Sequence, residues 1–245
     1  MKTVAIILGR GGSKGVPGKN TAMVAGKPCV QWTIDAAKSS DHVAHVVVSS
    51  DDHAMLDLAR ASDAIAVVRP ADLASDTARV DDAARHAVLA FEQTHAEIAE
   101  HSPIVILYAN VPVRPPDLID RAVHLLRDSR CDSVQSYQPV GKYHPWWTAK
   151  LDGDARVGPW EGDVLNHGVF RRQDLPPAFV PDGGIIAVTR RALFLQVAGT
   201  TPGPHAFFGA DRRGVINPEG SVVDIDARTD LLVADAVLKE RYAHR

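Results

Sequence analysis

Short apolar runs alternate with longer amphipathic segments through the first half of the chain. The apolar runs have the length of β-strands and cover residues 3–8, 45–49, 64–68, 104–108 and 133–137. The segments between them carry apolar residues at helical spacing, which predicts helices over residues 29–38, 53–61, 80–97 and 116–128. Strands that alternate with helices favour a mostly parallel sheet covered on both faces. The pattern therefore predicts a doubly wound, Rossmann-like α/β fold.

The pattern changes between residues 138 and 181. Prolines interrupt this segment repeatedly, and Trp146, Trp147 and Trp160 lie close together in it. We interpret the segment as a small β-rich insertion whose exposed aromatic side chains contact a second subunit, which predicts a homodimer. The alternative is a lid whose tryptophans pack inward.

The alternation of strands and helices resumes after the insertion. Strands are predicted over residues 184–189 and 221–225, and helices over residues 191–197 and 229–242. A chain of 245 residues is long enough for one large domain. We therefore expect a single nucleotide-binding type of domain over residues 1–245, with residues 138–181 inserted in it.

Composition and charge narrow the class of protein. Hydrophobic residues make up 45% and charged residues 23% of the chain, as in ordinary globular enzymes. The formal net charge of −3 argues against general binding to nucleic acid, so a polyanionic ligand would need local cations and metal. No signal-peptide or transmembrane run is apparent, and Cys29 and Cys131 lack metal-ligand spacing. We expect a cytoplasmic protein that binds no membrane.

A glycine-rich loop with three cations follows the first apolar run. Residues 8–20 read LGRGGSKGVPGKN and include Arg10, Lys14 and Lys19. The glycines let backbone N–H groups approach an anion, and the cations supply countercharge. The spacing matches neither a Walker A loop nor a GxGxxG motif. An ordinary turn with solvated lysines is the alternative, but this many cations in one turn favours phosphate binding.

Two carboxylates stand two residues apart near the end of a later apolar run, in the sequence VVDID over residues 222–226. In an extended strand, Asp224 and Asp226 would face the same side. Such a pair could hold Mg²⁺, which takes a few carboxylate oxygens together with phosphate and water oxygens. Alternatively, Asp226 caps the following helix and Asp224 is solvated. The cationic loop favours the metal interpretation, because nucleotidyl transfer requires charge neutralisation.

Two further polar clusters follow predicted strands. The sequence SSDD over residues 49–52 is most simply a helix cap with an acidic first turn. Arg69, together with the polar residues at 75–77, could recognise the edge of a base, or could simply form a polar loop.

Eight short blocks, taken together, resemble the CMP-sialic acid synthetase (acylneuraminate cytidylyltransferase) family. The blocks are residues 10–20, GKP with WTI at 26–28 and 32–34, SSDD at 49–52, RP with LASDT at 69–70 and 73–77, HPWW at 144–147, RQDLPP at 172–177, DGGI at 182–185 and DID at 224–226. Each block alone is weakly diagnostic. Their common order along nearly the whole chain makes the resemblance specific at the family level.

The resemblance implies a nucleotidyltransferase that joins CTP to an α-keto sugar acid and releases pyrophosphate, with Mg²⁺ as cofactor. In such enzymes the anomeric hydroxyl of the acid attacks the α-phosphorus. By position, Arg10 and Lys19 would be catalytic residues that hold the triphosphate and the departing pyrophosphate. Asp224 and Asp226 would bind Mg²⁺, and Asp226 is also expected to be catalytic. The residues expected to bind the nucleotide are Gly11, Gly12, Ser13, Asn20, Arg69, Ser75, Asp76 and Thr77.

One segment departs from the family pattern. Where the family usually has QPTSPLR, this chain has YANVPVR over residues 108–114. The family implies that this segment lines the acceptor pocket, which assigns Tyr108, Asn110 and Arg114 to the acceptor. The substitutions change the hydrogen-bonding groups that a sugar would meet. The sequence therefore predicts cytidylyl transfer to a nonulosonic or related α-keto sugar acid. Transfer to a different acceptor, and CTP binding by a regulatory protein without turnover, are the alternatives.

Overall fold

The computed structural model describes residues 3–12 and 14–243, whose main sheet is flanked by helices. The strands are β1 (Thr3–Leu8), β2 (Met23–Val24), β3 (Lys27–Pro28), β4 (Val43–Ser50), β5 (Ile65–Val68), β6 (Pro103–Tyr108), β7 (Ser133–Pro139), β8 (Ala149–Leu151), β9 (Val157–Pro159), β10 (Phe179–Thr189) and β11 (Arg212–Ile216). The helices are α1 (Cys29–Lys38), α2 (His53–Ala61), α3 (Val80–Glu92), α4 (Leu118–Ser129), α5 (Arg190–Leu193) and α6 (Arg228–Tyr242).

The main sheet has seven strands in the order β11-β7-β10-β6-β1-β4-β5. Strand β1 pairs in parallel with β4 and β6, β4 pairs in parallel with β5, and β7 pairs in parallel with β11. Strand β10 is antiparallel to both of its neighbours, β6 and β7. The mostly parallel α/β sheet that the sequence predicts is therefore confirmed.

The central strand β1 is buried on both faces, which explains its continuous apolar sequence. On one face, Ile7 packs in a cluster with Ile34 of α1 and Leu118 of α4. On the other face, Ile6 packs in a cluster with Val88 and other residues of α3. The two clusters hold the carboxyl end of β1, and therefore the start of the glycine-rich loop, on a rigid support.

A third apolar cluster attaches the C-terminal helix to this framework. It includes Trp32 of α1, Ile225, and Leu238 of α6. Ile225 is fully buried there, so the residues on either side of it are held at a fixed place near the glycine-rich loop.

The predicted strand over residues 221–225 is wrong. Val223 forms only an isolated bridge with Val113, and Ile225 N–H donates to Asn110 O at 2.9 Å. The edge of the sheet is instead formed by β11, which the sequence analysis did not predict. The sequence of β11, RRGVI, has two arginines and a glycine before its two apolar residues, because most of this edge strand is exposed.

Two helices are shorter than predicted. The third helix ends at Glu92, and not at residue 97. The predicted helix over residues 191–197 is the single turn Arg190–Leu193, after which Leu195 adopts a left-handed φ of 59°. A residue with that conformation ends a right-handed helix.

Residues 138–181 contain little regular structure. Strands β8 and β9 form a two-stranded antiparallel sheet of three residues each, surrounded by single 3₁₀ turns. Trp146 stacks on His167 with ring centroids 4.7 Å apart, and Trp147 Nε1 donates to Val169 O at 2.9 Å. Trp160, by contrast, is 58% exposed. Two of the three tryptophans therefore pack within the insertion, and one faces outward.

In the part of the chain that the structure describes, none of the helices combines the length and the apolar character needed to span a membrane.

A buried carboxylate joins β7 to two neighbouring segments. Asp132 Oδ1 accepts from Arg191 Nη2 at 2.7 Å, and its Oδ2 accepts from the N–H groups of Ala210 and Asp211 at 3.0 and 3.1 Å. Burial by itself would raise the pKa of Asp132, but these donors outweigh it and hold the pKa below its usual value. The charged form of Asp132 therefore stabilises the fold.

We predict that Asp132→Asn lowers the free energy of unfolding by about 2 kcal/mol or more, because an amide cannot accept all three hydrogen bonds. Urea unfolding at neutral pH measures the loss, and Asp128→Asn on the exposed face of α4 is the control. Since the folded-state pKa is lowered, the contribution is present above the ordinary aspartate pKa and is lost as the pH falls through the lowered value. A difference that persists unchanged in strong acid would contradict this explanation.

Candidate active site

A cleft of about 390 Å³ opens at the carboxyl ends of β1 and β6. These strands are parallel neighbours, so the segments that follow them meet at one edge of the sheet. The lining residues are Leu8, Gly9, Arg10, Lys14, Gly15, Lys19, Asn20, Arg69, Leu73, Ser75, Asp76, Ala78, Arg79, Val80, Ala83, Tyr108, Asn110 and Asp226. Nine of the site residues predicted from the sequence are in this group: Arg10, Lys19, Asn20, Arg69, Ser75, Asp76, Tyr108, Asn110 and Asp226.

Lys19 joins the glycine-rich loop to the segment before α6. Its Nζ donates to Ile225 O and to Asp226 Oδ1, both at 2.7 Å. The two segments are also in close contact at Gly15, where an added Cβ would lie 2.4 Å from Asp226 O. Glycine at this position is therefore a steric requirement, and the loop and the acidic segment form one wall of the cleft.

Asn20 and Asp51 fix the path of the glycine-rich loop. Asn20 is buried, and its Nδ2 donates to Arg10 O at 2.9 Å. Gly11 N–H donates to Asp51 Oδ1 at 2.9 Å, so this N–H is satisfied within the protein. Asn20 Oδ1 is buried and has no hydrogen-bond partner among the described residues, which leaves one acceptor for a ligand.

Gly12 and Ser13 are the other loop residues expected to bind the nucleotide. Gly12 is exposed, and an added Cβ there would meet no neighbouring atom. Ser13, expected to contact nucleotide, lies outside the described residues. The predicted helix cap after β4 is Asp52, whose Oδ1 accepts from Ala54 N–H at 2.9 Å. Its neighbour Asp51 does not cap the helix and accepts the hydrogen bond from Gly11 N–H.

Two cations of the loop are paired with Asp76, a carboxylate of the protein itself. Arg10 Nη1 lies 2.6 Å from Asp76 Oδ1, and Lys14 Nζ contacts Asp76 Oδ2. Hydrogen bonds from Lys14 and then Arg10 lower the pKa of Asp76, so it stays ionised. The Asp76 carboxylate thus takes up donors that an anionic ligand in the cleft would use.

Of the two carboxylates, Asp226 lines the cleft, whereas Asp224 lies outside its lining, and their segment is not a strand. Asp224 accepts from Asn110 Nδ2, whereas Asp226 is exposed and pairs with Lys19. Burial, and then the charge of Asp226, raise the pKa of Asp224 to about 6. No cluster of three or more His, Cys, Asp or Glu side chains suited to a metal ion occurs within residues 3–12 and 14–243. A cation at this pair would therefore take its remaining ligands from substrate and water.

Arg114 does not face the cleft, contrary to the expectation that it binds the acceptor. It is 5% exposed, and its guanidinium donates to the carbonyl oxygens of Gly184, Val111 and Tyr108 and to Thr33 Oγ1. Burial lowers its pKa to about 10. The reason is that the turn after β6 leaves several carbonyls in apolar surroundings, and one guanidinium fork satisfies them. Its hydrogen bonds hold these carbonyl groups in place.

Tyr108 and Asn110 remain at the cleft surface. Burial, and then the nearby charge of Asp224, raise the pKa of the Tyr108 hydroxyl to about 12, so it stays protonated and can donate. Val111, in contrast, is fully buried in the core. Of the residues that depart from the family pattern in segment 108–114, Tyr108 and Asn110 line the cleft and Val111 does not.

Arg69 forms the opposite side of the cleft. It is largely buried, with Nε donating to Ser49 Oγ at 3.1 Å and Nη2 donating to Ser49 O at 2.5 Å. Burial lowers its pKa to about 10. Ser75 Oγ lies 3.4 Å from Thr77 Oγ1, although Thr77 itself is not among the lining residues.

A buried polar group supports Asp224 from behind. Asp182 Oδ1 accepts from Gly184 N–H at 2.9 Å and from Ser136 Oγ, and its Oδ2 accepts from Asn217 Nδ2 at 2.7 Å. Gly183, which lies between Asp182 and Gly184 in the sequence, has a φ of 75°. An added Cβ at this position would lie 3.2 Å from Asp224 Oδ2. The block DGGI over residues 182–185 contributes to the family resemblance, but no role was predicted for Asp182.

Comparison with known proteins adds to this geometry. The family model described as "Cytidylyltransferase" matches residues 4–150, which include the glycine-rich loop and the altered 108–114 segment. The chain belongs to the cytidylyltransferase family. The predicted nucleotidyltransferase class is therefore confirmed, and the family binds nucleotide.

Curated relatives of this cytidylyltransferase confirm the resemblance to CMP-sialic acid synthetases. It is 32% identical to "CMP-N,N'-diacetyllegionaminic acid synthase" of Legionella pneumophila, over 98% of this chain and 97% of the relative. It is 28% identical to "N-acylneuraminate cytidylyltransferase" of Streptococcus agalactiae, over 95% of this chain. The chain spans about half, 52%, of the streptococcal protein.

The fold of the cytidylyltransferase also matches a solved structure. A structure titled CMP:2-keto-3-deoxy-manno-octonic acid synthetase complexed with CTP superposes with a TM-score of 0.71 at 18% identity, covering 98% of this chain and 100% of the other. At this identity the match establishes the shared fold alone. It confirms the predicted nucleotidyltransferase architecture.

We predict that Asp76→Asn strengthens pyrophosphate binding several-fold, because it frees Arg10 and Lys14 from an internal carboxylate. Isothermal titration calorimetry at low ionic strength measures the change. Asp72→Asn, an exposed residue of the same segment, is the matched control. Weaker binding by Asp76→Asn than by the control would mean that Asp76 assists the ligand and does not compete with it.

Proposed function

We propose that this cytidylyltransferase joins CTP to a nonulosonic or related α-keto sugar acid in a Mg²⁺-dependent reaction. The products would be the CMP-sugar and pyrophosphate. The observation that carries the proposal is the contact of Lys19 with Ile225 O and Asp226, which brings the cationic loop next to the segment that carries Asp224 and Asp226. Nucleotidyl transfer needs cations at the leaving group and a metal-binding site at the reacting phosphate.

The triphosphate would lie along the glycine-rich loop. Arg10 and Lys14 would exchange Asp76 for the β- and γ-phosphates, and Lys19 would stay near the α-phosphate through its bond to Asp226. Charge that develops on the departing pyrophosphate would be stabilised by these fixed cations. Gly12 would supply a backbone N–H group and Ser13 would contact the nucleotide, whereas Gly11 acts through its bond to Asp51.

Asp224 and Asp226 would hold Mg²⁺. They fit it because Mg²⁺ commonly takes one or two carboxylates together with substrate phosphates, and the described residues offer no third His, Cys, Asp or Glu ligand there. When bound, Mg²⁺ would neutralise phosphate charge and align the reacting groups. Asn110 orients Asp224 through its amide, and Gly183 gives the same carboxylate room.

The cytidine would occupy the side of the cleft formed by the 69–83 segment. Arg69 is fixed by Ser49, and Asn20 offers an unpaired buried acceptor, so both are positioned for the base or the ribose. Ser75 and Thr77 would add hydroxyl contacts from the adjoining turn.

The acceptor acid would approach the α-phosphorus from the side of Tyr108 and Asn110. Its anomeric hydroxyl would attack the α-phosphorus, and pyrophosphate would leave. The acceptor class rests on the names of the relatives, which are synthases or cytidylyltransferases for legionaminic and neuraminic acids. A different acceptor is the second candidate, favoured by the Tyr108 and Asn110 substitutions in this segment.

We further propose that the protein is a homodimer that associates through residues 138–181. Phe170 is 83% exposed there, and Tyr143, Trp160 and Val164 are exposed as well. Exposed apolar side chains at this density are typical of a subunit interface. The outward-facing Trp160 supports the interface, whereas inward packing of Trp146 and Trp147 fits an ordered insertion.

We predict pyrophosphate release when the protein is incubated with CTP, Mg²⁺ and a panel of nonulosonic and other α-keto sugar acids. Arg10→Ala and Asp226→Asn should each lower kcat by about 10²-fold or more, because each removes a charge at the reacting phosphates. Asp41→Asn, an exposed carboxylate outside the cleft, is the charge-matched control and should retain activity.

Two outcomes would contradict the proposal. Folded protein that binds CTP in calorimetry but releases no pyrophosphate with any acceptor would indicate a regulatory CTP-binding protein. Equal rates for Asp226→Asn and Asp41→Asn would refute the role of the carboxylate pair.

We predict that Phe170→Glu shifts the protein from dimer to monomer in sedimentation velocity, because a charge would be buried at the apolar interface. Leu232→Glu, at an exposed apolar position of α6, should leave the dimer intact. A wild-type protein that sediments as a monomer at micromolar concentration would rule out the interface.

A further inference from the structure

Arg79 is a cation of the cleft that does not come from the glycine-rich loop. It is the N-cap residue of α3, and its side chain is 45% exposed. It lies in the 69–83 segment, on the side of the cleft that the proposed function gives to the cytidine. Arg79 therefore adds a second guanidinium to this side, besides that of Arg69.

A buried carboxylate holds the Arg79 guanidinium in one orientation. Its Nε and Nη2 donate to the two oxygens of Asp81 at 3.1 and 2.9 Å, and Nη2 also donates to Gly203 O at 3.3 Å. Asp81 is 1% exposed, so this bidentate contact is shielded from solvent on the side of the carboxylate. Nothing in the described part of the chain accepts a hydrogen bond from Nη1. Arg79 thus has two anchored nitrogens and a third that remains for a ligand.

The same carboxylate also binds an arginine outside the cleft. Arg85 Nη2 donates to Asp81 Oδ2 at 2.8 Å, and its Nη1 donates to Leu193 O at 2.7 Å. Arg85 is not among the residues that line the cleft. Both arginines therefore help to hold α3 in place through Asp81, but only Arg79 is at the surface that a ligand in the cleft would contact.

The lining on either side of Arg79 is apolar. Leu73 and Ala78 precede it, and Val80 and Ala83 follow it in the first turn of α3. Apolar side chains suit the face of a planar base, whereas the phosphates need the cations of the glycine-rich loop. A few placed polar groups beside an apolar surface are what orients a ligand and gives a site its specificity.

We propose that Arg79 is a specificity-determining residue that donates to the acceptor edge of the cytosine base, an inference that rests on the proposed function. Cytosine has two adjacent acceptors on this edge, O2 and N3, whereas N3 of uracil carries a hydrogen and is a donor. A guanidinium can only donate, so Arg79 Nη1 pairs with cytosine but meets a second donor in uracil. Because Asp81 prevents the guanidinium from turning away, the mismatch with uracil is not relieved.

The test is calorimetric titration with CTP and separately with UTP, in the presence of Mg²⁺ and without an acceptor, so that no turnover occurs. Arg79→Gln is compared with Arg85→Gln, which removes a guanidinium from the same carboxylate but outside the cleft lining. Arg79→Lys is the second variant, because it keeps the positive charge and loses the planar fork that Asp81 anchors.

We expect about tenfold weaker CTP binding in Arg79→Gln and nearly unchanged UTP binding, so that the preference for CTP falls about tenfold. Arg79→Lys should also lose preference, and Arg85→Gln should keep that of the wild type. Equal weakening of CTP and UTP in Arg79→Gln, with both restored by Arg79→Lys, would mean that Arg79 serves only as a cation for phosphate and would overturn the inference.

The remaining outcomes separate this inference from the proposed function. A wild-type preference retained in Arg79→Gln, or lost equally in Arg85→Gln, overturns the role of Arg79 and leaves the proposed function intact. A wild-type protein that binds UTP as tightly as CTP contradicts the proposed function, and this inference with it.

Discussion

The ammonium group of Lys19 is the contact on which the rest of the site depends. It bonds at once to a main-chain carbonyl and to a carboxylate of the segment before α6, and so brings together residues separated by 206 and 207 positions. The Lys19 side chain is 15% exposed, whereas Asp226 is 76% exposed, so solvent screens the ion pair from the side of the carboxylate. Without it, only the apolar packing around Ile225 would hold the acidic segment beside the cationic loop. With it, they form one wall of a cleft.

Long-range hydrogen bonds also fix the polar groups beneath the site. Arg114 satisfies four oxygen acceptors around the turn after β6, and Asp182 satisfies three donors at the bend in β10. A buried polar group left without a partner is costly, so each of these networks fixes the backbone that carries a cleft residue. Tyr108 and Asn110 are held by the first network, and Asp224 packs against the second. The proposed catalytic groups thus rest on backbone that these hydrogen bonds hold in place.

Much of the fold was predictable because its strands and helices have distinct periods. Helices α1 and α2 begin and end at the predicted residues, since their apolar faces pack directly on the sheet. Strand β11 was missed because an edge strand needs few apolar residues. The segment at 221–225 was overpredicted because Val223 and Ile225 pack in the cluster that includes α6 instead of pairing in the sheet. The spacing of apolar residues indicates that a segment is buried, and it does not indicate which element packs against that segment.

The sequence by itself determined the fold class, the family and the residue types of the cleft, because a strand followed by glycines and cations, with paired carboxylates later in the chain, has few other uses. Only the tertiary structure decided which of these groups are available to a ligand. Arg114 has the charge expected of an acceptor-binding residue, but its guanidinium donates to buried carbonyl oxygens. Asp76 pairs with the cations expected to hold phosphate. The physical reason is that hydrogen-bond and ion-pair partners come from distant parts of the chain, so the state of a charged group depends on long-range packing that local sequence does not encode.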